Sequence, residues 1–268
     1  MIRGDRWFYG VLGILGGGYL VLIVAMIAAD LFYTTPKHLI ESLLTEEIRF
    51  AVYLTLGSTI ASAVLSTFVA IPLGYLLSRA SFPGKRAVDA LLDIPIVLPP
   101  IVVGLSLIIL LRTVPGQWFQ EHVVDILFQW PSVILAQTSV AAAFAVRAMK
   151  ITYDQMSPRS EQVAMTLGCS RAQAFARVVL PEARRGIVAA FAIAWARSLG
   201  EFGPVLIISG ATRNRTEVLS TTVWLELNVG KLEAAVAVSL FMVLIAFVVL
   251  IVIRLAGPAE GVGKSVRP

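Results

Sequence analysis

Six stretches of this chain are each long and apolar enough to cross a lipid bilayer, and that feature limits the fold more than any other in the sequence. They run over 7–33, 50–78, 88–111, 132–149, 187–209 and 234–255. A crossing helix needs about 20 mostly apolar residues, because a backbone in hydrocarbon must satisfy its own hydrogen bonds. The composition agrees, with 57% hydrophobic and only 15% charged residues and a mean hydropathy of +0.83. A soluble domain is typically about 25% charged, and one of 268 residues could not bury so much apolar surface. Disorder and a disulfide scaffold are excluded by the same figures, and the single Cys169 excludes an all-cysteine metal cage. The first stretch is longer than the apolar core of a signal peptide, and no small-residue cleavage site follows it. The expectation is an all-α polytopic membrane protein with six transmembrane helices, residues 1–268 forming one domain, with no metal or cofactor.

Six crossings put both ends on one side, and the basic residues indicate which. With the N-terminal end in the cytoplasm, the inside segments hold 15 of the 22 Lys and Arg residues. These are Arg3 and Arg6; Arg79, Lys85 and Arg86; the seven from Arg147 to Arg185; and Arg254, Lys264 and Arg267. The outside segments hold six; Arg147 and Arg254 lie at the inside ends of their stretches, and Arg197 alone lies near the middle of one. This is the positive-inside pattern, with both ends cytoplasmic in the plasma (inner) membrane. The net charge of +5 is thereby accounted for by topology, and no nucleic-acid partner is expected.

One inside segment, residues 151–185, is too long for an ordinary connection. Ser157-Pro158 reads as a helix start. Gly168 can end that helix in a left-handed conformation, and Ser170 to Gln173 is a capping-box pattern opening a second short helix. Leu180-Pro181 should stop it. Val163, Leu167, Phe175, Val178 and Val179 give the pair an apolar side. Such a helix–turn–helix is either a partner's docking site or a loop resting on lipid headgroups, and amphipathicity does not choose between them.

This loop resembles the EAA motif of ABC-importer permeases. Gly168, Val178, Leu180 and Pro181 stand at the motif's spacing, and Ala164 matches its second alanine. Gln162 stands where the family has glutamate and Val163 where it has the first alanine, with Glu161 one residue earlier. The segments Ser81–Arg86, Asp93–Pro100 followed by Gly104, and Ser198–Gly203 are similar to the molybdate, tungstate and sulfate branch of these permeases. Molybdate/tungstate is the nearer substrate class and sulfate or thiosulfate the alternative. The resemblance implies a type I importer fold and a second permease chain, an identical copy or else a related chain. It also implies two cytoplasmic ATP-binding subunits, an extracytoplasmic oxyanion-binding protein, and alternating access along the dimer interface. Lipid surrounds the whole. On this reading Glu161, Gln162, Ala164, Gly168, Cys169, Ser170, Val178, Leu180 and Pro181 belong to the ATPase-docking surface.

Candidates for the pathway or its gate are fewer. Arg197 and Glu201 lie four residues apart in an apolar run, flanking Ser198 and followed by Phe202. An unpaired charge there costs about 2.5–3.5 kcal/mol, so the two either pair or face a cavity. Thr55, Ser58 and Thr59, with Ser62 and Ser66, form a hydroxyl stripe that suits either helix packing or an anion path. Pro95, Pro99 and Pro100 interrupt the third stretch, as a hinge or as a plain helix entry. Residues Pro258–Ser265 end like a phosphate-binding loop but lack its first glycine, so ATP hydrolysis is expected on a separate subunit. Catalysis within the membrane is disfavoured: His38 and His122 both fall in outside segments. A secondary transporter or channel would leave the long loop unexplained.

Overall fold

A computed structural model describes residues 3–256. The chain opens with α1 (Arg3–Tyr33), a short α2 (Pro36–Leu43) and α3 (Glu46–Arg79). Next come α4 (Lys85–Val97), α5 (Pro100–Arg112), the short α6 (Val114–His122) and α7 (Trp130–Gln155). The long loop carries α8 (Arg159–Thr166), α9 (Arg171–Ala174), a π-helical turn (Phe175–Val179) and α10 (Leu180–Glu182). The last third holds α11 (Arg184–Leu199), α12 (Gly203–Ser209), α13 (Leu219–Val229) and α14 (Leu232–Ala256). The phosphate-loop-like tail falls outside the described residues.

Four of these helices, α1, α3, α7 and α14, are long and apolar enough to cross a membrane unbroken. Two bent pairs bring the number to six where each counts as one broken crossing: α4 and α5 meet at 113°, and α11 and α12 at 64°. The third stretch is therefore not one straight helix. Leu98 precedes a proline and takes an extended backbone at ψ 143°, Pro99 follows at ψ 131°, and Pro100 restarts the helix at its first turn. A second departure concerns Pro181, which does not stop the chain's helical run. The π turn before it widens the coil, with the Leu180 amide bonding back to the Phe175 carbonyl. That widening is how a helix accommodates a proline ring that would otherwise press on the carbonyl four residues earlier.

The core is a three-helix stack of α3, α7 and α11, built on small residues: Ala63 and Ala70, Ala141 and Ala145, Ala190 and Ala194. Small side chains let backbones approach where lipid offers no hydrophobic drive to association. At Gly74 a Cβ would stand 2.7 Å from Met149 Cβ, so only glycine fits between α3 and α7. A second cluster, with Leu111, Val133, Val205 and Ile208, joins α5, α7 and α12. The hydropathic window of α1 is wholly unburied, as a lipid-facing helix should be.

Candidate functional site

The long loop folds as two short helices joined by a tight corner. α8 ends in a Schellman motif: the Gly168 amide bonds to the Met165 carbonyl and the Cys169 amide to the Ala164 carbonyl, both at 3.1 Å. Gly168 sits at φ +95°, in the region that favours glycine. Two residues later Ser170 caps α9. Its hydroxyl accepts from the Gln173 amide at 3.2 Å, and its own amide donates to Gln173 Oε1 at 2.9 Å.

The two faces of this unit differ from the expected single apolar side. Inward, Glu161, Ala164, Ala174 and Val179 are buried. Outward, Gln162 is exposed, Val163 is 56% exposed and Leu167 81% exposed. Gly168, Ser170 and Pro181 share that exposure, while Cys169, Val178 and Leu180 are half-buried. A Cβ at Gly168 would meet nothing within 4 Å, so no packing inside the chain requires the glycine; its backbone conformation does.

Glu161 points into the molecule, where its Oε1 accepts the hydroxyl of Tyr75 on α3 at 2.5 Å. Nearby, Arg147 of α7 donates to Asp89 Oδ1 at 2.6 Å and to Asp93 Oδ1 at 2.6 Å, and its Nη2 also bonds Asp93 Oδ2. Lys150 Nζ lies 3.7 Å from Asp89. This cluster ties α4 to α7. Sequence reading counted Arg147 only as a topology signal; the spacing of Asp89 and Asp93, one helical turn apart, was the clue to its partner.

The pathway candidates fall in two places. Arg197 and Glu201 form an ion pair at 2.8 Å across the break between α11 and α12, with the Glu201 side chain almost fully buried and the Arg197 side chain 30% exposed. The guanidinium also lies 5.6 Å from the centroid of the Phe144 ring. Ser198 is buried and shares a 2.9 Å hydrogen bond with Ser62, which also accepts from Thr138 at 3.2 Å. The hydroxyl stripe is turned toward neighbouring helices. Thr55 accepts from the Leu219 amide at 2.9 Å, Thr59 accepts from the Trp195 indole at 3.1 Å, and Ser58 donates to the Thr55 carbonyl at 3.3 Å. A cleft of about 260 Å³ opens beside the α11 break, lined by Thr55, Leu199, Gly200 and Met242 among others.

The two broken crossings meet at their breaks. A Cβ on Gly203 would stand 2.9 Å from Pro100 Cβ, and one on Gly104 2.9 Å from Pro204 Cα. Pro99 and Pro100 are exposed there, and Phe202 is half-buried at the head of α12. The sequence presented these as two separate irregularities; the fold makes them one contact.

At the opposite end from the long loop, Arg213 Nη2 donates to Glu226 at 2.6 Å and Nη1 lies 3.5 Å from Glu217, which is fully buried. Burial pushes the Glu217 carboxyl above its usual value, with Thr222 and Arg213 opposing the shift.

Comparison with known proteins places this geometry. Residues 70–260 match the family model of the binding-protein-dependent transport system inner membrane component. The sulfate transport system permease protein CysT of Escherichia coli (strain K12) is 32% identical over 201 residues, covering 74% of this chain and 73% of the relative. A protein of Haloferax volcanii named as a probable molybdenum ABC transporter permease is 34% identical over 253 residues, covering 92% of this chain and 90% of the relative. The solved structure of a bacterial ABC transporter involved in import of the acidic polysaccharide alginate shares the fold, with a TM-score of 0.75 over 95% of this chain and 96% of that one at 21% identity. A helical, multi-pass membrane chain with a two-helix loop and paired broken crossings, matched by the family model over most of its length, belongs to the family of ABC-importer permeases, the inner membrane components of binding-protein-dependent transport systems.

Proposed function

We propose that this chain is the membrane-spanning subunit of an ATP-driven importer of a tetrahedral oxyanion, with molybdate or tungstate as the cargo. The observation that carries the mechanical part is the outward face of the loop. Val163 and Leu167 stand exposed on α8 beside Gln162, on a corner held rigid by Gly168 and the Ser170 cap. Apolar side chains left uncovered on a capped two-helix corner suit a groove of a partner protein. That partner is the cytoplasmic ATP-binding subunit, one for each of two permease copies, and ATP is hydrolysed there. The excess of basic residues on the loop side supports a cytoplasmic position for the loop and for both ends of the chain. An extracytoplasmic binding protein delivers the anion to the other side.

The gate is the contact between the two broken crossings. Pro100 and Gly104 on α5 face Gly203 and Pro204 on α12, so a shift of either helix displaces the other. The Arg197–Glu201 pair fixes the α11 break beside it, and Arg197, the more exposed partner, is positioned to meet a passing anion. The substrate class rests on the similarity over nearly the whole chain to the Haloferax molybdenum permease. Sulfate is the second reading, favoured by the similarity to CysT.

The test is reconstitution of the chain in vesicles with its ATPase and its binding protein. ATP-dependent uptake of molybdate that tungstate suppresses and sulfate does not is the expected result. Preferential sulfate uptake would establish the second reading, and uptake of a sugar or amino acid would overturn both.

A further inference from the structure

α8 is attached to the spanning bundle by very little. Of its eight residues only Glu161 and Ala164 are buried. Ala164 offers a single methyl group and Met165 is half-buried, so Glu161 is the one long side chain of α8 that is buried. It ends on Tyr75, at the loop end of α3 and next to Gly74, where α3 and α7 approach too closely for a Cβ. The Tyr75 ring is itself held on two sides. It packs edge-on against Phe175 of the π turn, with centroids 4.7 Å apart, and against Tyr153 of α7 at 5.6 Å. One phenol thus touches α8 through its hydroxyl, the π turn through one ring contact, and α7 through the other.

From this juxtaposition we infer that the Glu161–Tyr75 hydrogen bond is the linkage by which a displacement of α8 is passed to the α3–α7 pair. A buried carboxylate bonded to a hydroxyl resists both separation and sliding, whereas the Ala164 methyl resists neither. Adjacent residues on α8 then divide the work: Gln162, exposed, faces the partner, and Glu161, buried, holds the permease. Tyr75 and Glu161 are positioning residues and touch no cargo. The inference rests on the proposed docking of the ATPase on this loop, and its test reads docking and transmission separately.

The complex of chain, ATPase and binding protein is reconstituted with wild type, Tyr75→Phe, Glu161→Ala, Glu161→Gln and the double variant Tyr75→Phe/Glu161→Ala. Tyr75→Phe keeps both ring contacts and removes only the hydroxyl. Three quantities are measured: ATPase retained on purification, ATP hydrolysed, and labelled molybdate taken up per ATP, with labelled sulfate used where the wild type carries that instead. The expected result is wild-type retention and hydrolysis in Tyr75→Phe, with uptake per ATP down about tenfold, the factor that one hydrogen bond to a charged group carries. The double variant should lose no more than Glu161→Ala alone, and Glu161→Gln, whose amide oxygen still accepts, should recover much of the coupling. Uptake per ATP within twofold of wild type in Tyr75→Phe, or losses that multiply in the double variant, would overturn the linkage. Loss of the ATPase from Tyr75→Phe would overturn it too, by making the pair part of docking. A wild-type chain that does not hold the ATPase through this loop would instead sink the docking proposal itself.

Discussion

At position 168 the backbone turns through φ +95° with open space around it, so two demands on the residue can be separated. An ordinary L residue in the left-handed region costs about 1–2 kcal/mol, while asparagine enters it readily. Gly168→Asn should therefore retain the ATPase on purification, and Gly168→Val should retain about tenfold less, since the corner no longer presents α8 correctly. Equal retention in both would show that the corner's shape is not what the partner reads. A second residue-scale prediction concerns Glu217, which lies outside the spanning segments and whose carboxyl burial raises above its ordinary 4.5. Its contribution to stability is complete below that ordinary value and is lost as pH rises through the raised one. Glu217→Gln stays neutral throughout. Thermal unfolding in detergent should show the variant gaining on wild type as pH climbs from about 4.5 toward neutrality, and a pH-independent difference would refute the assignment. The turn at Gly168 was legible in the sequence because caps and left-handed glycines are local chemistry. The inward aim of Glu161 was not, because which of two adjacent polar residues is buried depends on Tyr75, 86 positions away in the chain.

Helix breaks are the feature of this fold whose presence, but not whose consequence, can be read from residue types. Pro99 and Pro100 announce an interruption, and Gly200 and Gly203 with Pro204 announce another, yet nothing local says that α4 and α5 meet at 113° or that the two breaks touch. The hydroxyl stripe of α3 behaves likewise: helical spacing puts Thr55, Ser58, Thr59 and Ser62 on one face, and only the packing of α7, α11 and α13 reveals what that face meets. The contact between breaks is tight enough to test. Gly203→Ala adds a methyl 2.9 Å from Pro100 Cβ and 3.0 Å from the Ile101 nitrogen, which α5 must move to admit. Overpacking of this kind costs about 1–3 kcal/mol. The expected outcome is a chain that inserts and holds its partners but transports at least fivefold more slowly, because the α5–α12 crossing is no longer free to shift. Unchanged uptake would remove this contact from the gate. Gly57→Ala, with nothing within 4 Å, is the matched control and should leave transport unaltered.

For the molecule as a whole, sidedness and assembly can be read from one atom. The chain has a single cysteine, Cys169, and it lies half-buried at the corner between α8 and α9, the point on which both the topology and the docking proposals converge. The proposed topology puts this corner in the cytoplasm, on the side to which it assigns 15 of the 22 basic residues. A membrane-impermeant maleimide should then label the protein in inside-out vesicles and fail to do so in right-side-out ones. Labelling from the right-side-out face would invert the molecule and with it the direction of transport. The same thiol reports the partner. If the ATPase seats on the exposed face formed by Gln162, Val163 and Leu167, bound ATPase must cover the adjacent corner, and labelling in inside-out vesicles should slow severalfold when it is present and recover when it is stripped away. Labelling that ignores the ATPase would leave the uncovered apolar side chains of α8 to lipid headgroups, the other reading the loop's composition allowed. The distinction matters for the mechanism because a loop lying on lipid has nothing to push it. The α3–α7–α11 stack, packed on alanine and glycine with little slack, would then have no source of the displacement that the proposed mechanism requires of it.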